Sequence, residues 1–125
     1  MSRWVRLVEA PTGRLLHPRV RLASTFWGRF WGWMGHEVGP SDALLLLHTP
    51  AVHTMFMRVP IDVVMLDRAG RVLAVRQAAR PWRLVRSAAG ARHALELSPG
   101  AAERLGIRPG LELAWAEPAG PASPS

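Results

Sequence analysis

The chain of 125 residues contains no cysteine. That excludes a disulfide frame, a thiolate metal site and a cysteine nucleophile. Lysine is also missing: all 16 basic residues are arginine, set against 9 acidic residues for a net charge of +7. Long apolar runs are missing too. The longest aliphatic stretch is Ala43–Leu47, far short of the roughly 20 residues that cross a bilayer as a helix. The N-terminal MSRWVRLVEAPTGRLLHP lacks the apolar segment of a signal peptide. The expectation is a soluble, cytoplasmic protein. No glycine-rich loop follows a strand-like stretch, which argues against a nucleotide site. No serine stands in a nucleophile elbow, and no carboxylate pair marks a glycosidase. His48, His53 and Asp62 come nearest to a metal set, but no His-x-His or HExxH spacing joins them. Neither a metal nor another cofactor is expected.

What is present is enough apolar residue, 49% of the chain, to build a real core. One globular domain over residues 1–117 is expected. The proline-, serine- and alanine-rich PAGPASPS of residues 118–125 reads as a disordered tail. Two strands, Trp4–Val8 and Arg14–Ala23, flank the turn APTG. Pro18 makes the second an edge strand or two short pieces. Ser24 or Thr25 can cap a helix over FWGRFWGWM, where Phe26, Trp27, Phe30, Trp31, Trp33 and Met34 share one arc at about 100° per residue. That aromatic face reads as core rather than as a cofactor box.

ALLLL reads as a strand buried on both faces, and Val52–Arg58 and Ile61–Leu66 have strand composition. Between the last two, Val59-Pro60 bends the chain without a hairpin. DRAG, Asp67–Gly70, is the hairpin turn, with aspartate first and glycine fourth. RVLAVRQA returns as its partner strand, Pro81–Gly90 reads as an exposed connection, and RHALELS as another strand. In SPGAAERLG, Ser98 can cap a short helix, Pro99 suits its first turn and Gly106 its end. A last strand follows in GIRPGLELAWAE. The fold class is therefore α+β and β-rich: a small, curled, mostly antiparallel sheet, barrel- or sandwich-like, with one aromatic helix and one short C-terminal helix.

GWMG, the aliphatic strand, HTMFMRVPIDVVMLDRAGRVL, PWR and LELSPGAAERLGIRPGLEL together resemble the domain of unknown function 192 family, from about Thr25 to Leu113. The departures are Trp33 for a leucine, Ser98 for a proline and Leu111 for an aspartate. Any role of that aspartate does not carry over. The resemblance implies a compact β-rich fold with one or two short helices and no established activity.

The polar residues left without a core explanation are His53, Thr54, Arg58, Asp62 and Arg83. On strand alternation His53 shares a face with Met55 and Met57, and Thr54 with Phe56 and Arg58. His53 reads either as a histidine packed on methionine or as a binding or acid–base group. Asp62 shares a face with Val64 and Leu66, where a charge needs a partner. It is either a structural lock for the bend or an acceptor lining a pocket. Trp82 and Arg83 either pin their loop or grip an anionic ligand or a partner. Glu96, opposite Leu95 and Leu97, reads as solvated or paired with an arginine.

The leading expectation is a non-enzymatic binding module using His53, Thr54, Arg58, Asp62, Trp82 and Arg83, for a small anionic ligand or a protein partner. A small hydrolase using His53 with Asp62 is the alternative. Nucleic-acid binding would need Arg76, Arg80, Arg83 and Arg86 on one exposed face. The arginines are spread along the chain, so that partner is not expected, nor is a membrane.

Overall fold

A computed structural model describes residues 3–23, 43–47, 52–53, 61–79, 84–85 and 88–116. Among them the strands are β1 (Arg3–Glu9), β2 (Leu15–Ala23), β3 (Ala43–Leu46), β4 (Val52–His53), β5 (Ile61–Leu66), β6 (Val72–Ala79), β7 (Leu84–Val85), β8 (His93–Leu97) and β9 (Leu113–Ala116). One helix, α1 (Ala101–Arg104), separates β8 from β9. Seven strands form one curled sheet in the order β6-β5-β8-β3-β2-β1-β9, and β4 pairs with β7 in a separate ribbon. Neighbours run antiparallel except β2 and β3.

The two edges of the sheet meet at one end. Val72 N–H donates to the Leu111 carbonyl at 2.8 Å, Gly110 N–H to that of Val72 at 2.8 Å, and Leu113 N–H to that of Gly70 at 2.9 Å. Gly70 makes this seam possible. Its φ is +92°, and a Cβ there would collide with the Leu113 carbonyl oxygen, so only glycine fits without strain. The turn before it is the expected one. Asp67 Oδ1 accepts from the amides of Ala69 and Arg71, each at 2.9 Å, which is how aspartate holds such turns.

Curling gives the sheet an inner and an outer face. Val5, Leu7, Val20, Leu45, Val64, Leu66, Leu95, Leu97 and Leu113 fill the inner one, with Ala101, Ala102, Ile107 and Leu111 from α1 and the segment after it. Leu44, Leu46, Ile61, Val63, Met65 and Ala94 form a second buried cluster on the outer face of β3, β5 and β8. The central strands are thus apolar on both sides, as ALLLL foretells: β3 and β5 are buried at every position.

Helix α1 ends where expected. Gly106 N–H donates to the Glu103 carbonyl at 3.0 Å and Ile107 N–H to that of Ala102 at 2.9 Å, with Gly106 at φ +72°. That is a Schellman ending, which favours glycine. Its start differs from expectation. Gly100 is the N-cap and no side chain caps from that position; the Ser98 carbonyl accepts from Ala101 N–H at 3.0 Å, and the Ser98 Oγ accepts from Arg104 Nη2 at 3.5 Å.

Other expectations also need correction. β2 is an interior strand, but Pro18 lies where β3 does not pair with it, since that pairing covers only Arg21–Ala23. Pro18 also falls at a break in the β1 register, between Val5↔Val20 and Leu7↔His17. A proline costs no ladder bond there. The Pro81–Gly90 connection contains the short strand β7. The aromatic helix and the tail lie outside the described residues, among which no helix is as long as seven residues. Among the described residues no helix is long and apolar enough to cross a membrane.

Candidate functional site

Two buried carboxyls stand one register step apart on opposite faces of the sheet. Asp62 pairs across β5 and β8 with Leu97, and Val63 with Glu96. Side chains alternate along a strand, so Asp62 points inward with Val64 and Leu66, as expected. Glu96 points outward with Val63 and Leu44.

Asp62 is fully buried. Its Oδ2 accepts from the Ala102 N–H at 3.1 Å. That amide belongs to the first turn of α1, whose N–H groups have no partner within the helix. A carboxylate from β5 therefore caps this amide from forty residues away in the sequence. This contact ties α1 to the sheet; the bend before β5 lies outside the described residues.

Glu96 is 4% exposed, so it is not the solvated residue that simple alternation implies. No hydrogen bond or ion pair to its side chain is found among the described residues. Its strand neighbours are Val63 on one side and Leu44 on the other. Burial alone pushes its carboxyl up to about 8, since a charge without a partner is costly in apolar surroundings. At neutral pH Glu96 is mostly an uncharged acid on an apolar floor.

The topology also places the β4–β7 ribbon. β3 and β5 both run antiparallel to β8, which lies between them. They are therefore parallel to each other, and the connection carrying β4 must cross β8. By the same logic β6 and β8 are parallel, and the connection carrying β7 must cross β5. The second crossing lies on the outer face. There Ala88 N–H donates to Met65 Sδ at 3.1 Å, and Ala88 and Ala91 pack on the outer cluster. Because Val52 pairs with Val85 and His53 with Leu84, β4 is tied to that crossing.

His53 thus has its backbone in the ribbon. His48, Thr54, Arg58, Arg80, Trp82, Arg83 and Arg86 lie outside the described residues. Arg76 is exposed on β6. Among the described residues no three histidine or acidic side chains gather as metal ligands. Glu96 is the residue that sequence reasoning misplaced. The signal was available: ALLLL and IDVVML are apolar at consecutive positions, so a strand paired between them is covered on both faces.

Comparison with known proteins agrees with this fold. A family model described as "Uncharacterized ACR", domain of unknown function 192, matches residues 8–115. A UPF0127 protein of Thermococcus sibiricus is 31% identical over 117 residues, covering 87% of this chain and 73% of the relative. One from Thermococcus gammatolerans is 31% identical over 116 residues, covering 87% and 74%. Among solved structures, a Sinorhizobium meliloti protein described as a candidate transcription regulator superposes with a TM-score of 0.74 at 27% identity, over 92% of this chain and 94% of that one. A protein of unknown function from Novosphingobium aromaticivorans gives 0.73 at 26% identity, over 91% and 85%.

Proposed function

The chain belongs to the domain of unknown function 192 family, and from that premise we propose that it is a non-enzymatic binding module whose site lies between the outer face around Glu96 and the β4–β7 ribbon. The observation that carries this reading is the buried, unpartnered carboxyl among the described residues, on the face that the β7 connection crosses. A buried polar group without a partner destabilises a fold by about 1–3 kcal/mol. Such a group is readily explained when a ligand completes it.

His53, Thr54, Arg58, Trp82 and Arg83 belong in or next to the two crossing connections, so all are candidates for the rim. The arginines suit an anionic group on a small ligand or on a peptide of a partner. Asp62 joins this site only indirectly, by holding α1 against the other face of β5. The hydrolase alternative asks Asp62 to serve His53 at an open cleft; Asp62 has no solvent-accessible surface and accepts from the Ala102 amide, which weighs against that role. The likeness to a candidate transcription regulator supplies no nucleic-acid site by itself, because a fold does not specify a function.

The test is a fragment and peptide screen read by amide chemical shifts of the labelled protein. Binders are expected to move Leu44, Val63 and Ala94, and to lose at least about tenfold in affinity, near 1.4 kcal/mol, in a folded Thr54→Ala/Arg83→Ala variant. Binders that instead move only β1 and β2, or that keep full affinity for the variant, contradict the assignment.

A further inference from the structure

We infer that the outer face of β1 and β2 binds single-stranded nucleic acid, with Trp4 as a stacking platform for a base and Arg6, Arg19 and Arg21 as partners for the phosphates. This is a second surface, separate from the ligand site proposed above and independent of Glu96.

The outer face of the sheet is not uniform. One row of cross-strand partners shows it: Trp4, Arg21, Leu44, Glu96, Val63 and Arg76. Leu44, Glu96 and Val63 are buried, so the middle of the row is closed. Trp4 and Arg21 are half-buried and Arg76 is exposed, so both ends reach solvent. Arg76 stands on β6, four strands from β2. At the spacing of paired strands that is roughly 19 Å along the sheet, so Arg76 takes no part in what the other end gathers.

That other end is built by the β1–β2 pairing. Val5, Leu7, Val20 and Leu22 belong to the inner core. Side chains alternate along a strand, so Trp4, Arg6, Arg19 and Arg21 turn outward. Trp4 lies opposite Arg21. The guanidinium of Arg19, itself exposed, lies over the Trp4 ring at 4.1 Å from its centroid. Arg6 comes next on the Trp4 side of β1, opposite the small, exposed Ala116 of β9. Arg6 and Arg21 also interact within the chain, but a guanidinium carries more N–H donors than one such contact uses. Among the described residues, the acid of these strands is Glu9, at the far end of β1 and bound to Arg14 at 2.9 Å; Glu112, just before β9, lies at that same end. The sequence points to Arg76, Arg80, Arg83 and Arg86 for such a partner. Folding gathers a different set, because residues 6, 19 and 21 become neighbours only across the β1–β2 pair.

The chemistry of this end selects its partner. Arginine forks suit phosphate oxygens. Indole and guanidinium planes both accept an unpaired base on their faces. An acidic peptide would engage the arginines and leave the Trp4 plane without a role. A duplex hides its base faces, and its major groove admits a helix or a two-stranded ribbon. Here β1 and β2 are set between β9 and β3 in one sheet, which makes the face too broad to enter a groove.

The experiment uses the intact chain and an oligo(dT) of about 12 nucleotides, with a duplex of the same length and poly-glutamate as comparisons. Amide and indole N–H shifts of the parent locate each ligand, and anisotropy at several salt concentrations gives affinities. Oligo(dT) is expected to move the Trp4 indole and the amides of Arg19 and Arg21, and to bind at least about tenfold tighter than either comparison. Its affinity should fall with salt at a log–log slope of about −2, the value for three phosphate contacts. Trp4→Phe keeps a ring and should keep most of the affinity, whereas Trp4→Leu should lose about tenfold at an unchanged slope. A folded Arg19→Ala/Arg21→Ala variant should lower the slope to about −0.7. Poly-glutamate or duplex binding here as tightly as oligo(dT), or full affinity in Trp4→Leu, would overturn the single-strand assignment. So would oligo(dT) that moves only other residues of the parent, or that fails to bind at low salt, two results that do not depend on any variant folding.

Discussion

Asp62 and Glu96 occupy adjacent rungs of the same sheet, and both are buried. On the inner face, Asp62 reaches a first-turn amide of α1 and joins two parts of the fold. On the outer face, Glu96 reaches no partner among the described residues, and burial alone sets its proton affinity. The difference teaches how to sort buried acids. A carboxylate with an amide to accept from has a structural explanation, and replacing it breaks something. A carboxyl with no partner has none, and the fold would be as stable or more stable without it. The inner face therefore accounts for the architecture, and the outer face is where a function is to be sought.

The largest effect expected from this contrast is in the pH dependence of stability. In the unfolded chain Glu96 titrates near 4.5; in the folded chain near 8. Below the lower value both states hold the proton, and pH has no effect through this group. Between the two values only the folded state holds it, so raising pH favours unfolding by about 1.4 kcal/mol per unit. Above the upper value the slope vanishes. Denaturant melts of the parent and of Glu96→Gln should therefore diverge across this window, the parent losing stability relative to the variant as pH rises. Parallel curves would remove the distinction between the two acids.

Next in size is the inner carboxylate. Asp62→Ala should lower stability by about 1–3 kcal/mol, because the Ala102 amide is left buried without its acceptor. Amide exchange should quicken most in α1. An unchanged melting curve would show that the inner acid is no lock. The smallest effect is the mirror of this one: Glu96→Leu, of similar volume, should leave stability at neutral pH within about 1 kcal/mol of the parent or raise it. A loss as large as that of Asp62→Ala would show that Glu96 has a structural partner after all.

Much of this contrast was legible in the sequence, up to a definite point. DRAG supplied the β5–β6 turn, since an aspartate that can hold two amides and a glycine at positive φ are local requirements. ALLLL, IDVVML and the alternation of Asp62 with Val64 and Leu66 supplied the central strands and the facing of Asp62. The capping of α1 was not legible, because Asp62 lies forty residues from Ala102 and local rules look beside the helix. Ser98 was the local candidate, and Gly100 took the position. Glu96 was misplaced because alternation with Leu95 and Leu97 assumes a sheet wet on one side. This sheet is dry on both where β3, β8 and β5 lie together. The pairing of β4 with β7 was out of reach as well, since two-residue strands leave almost no pattern. The proposed site rests on that ribbon and on Glu96, so its location came from topology rather than from motif.

The central claim is that Glu96 is a buried acid that keeps its proton at neutral pH for want of a partner. Its side-chain carboxyl carbon, followed by NMR across a pH titration of the folded protein and assigned by its loss in Glu96→Gln, measures this directly. The account predicts a midpoint near 8. A midpoint near 4.5 without ligand would contradict it, because Glu96 would then be solvated or paired and the outer face would have no unmet need for a ligand to fill.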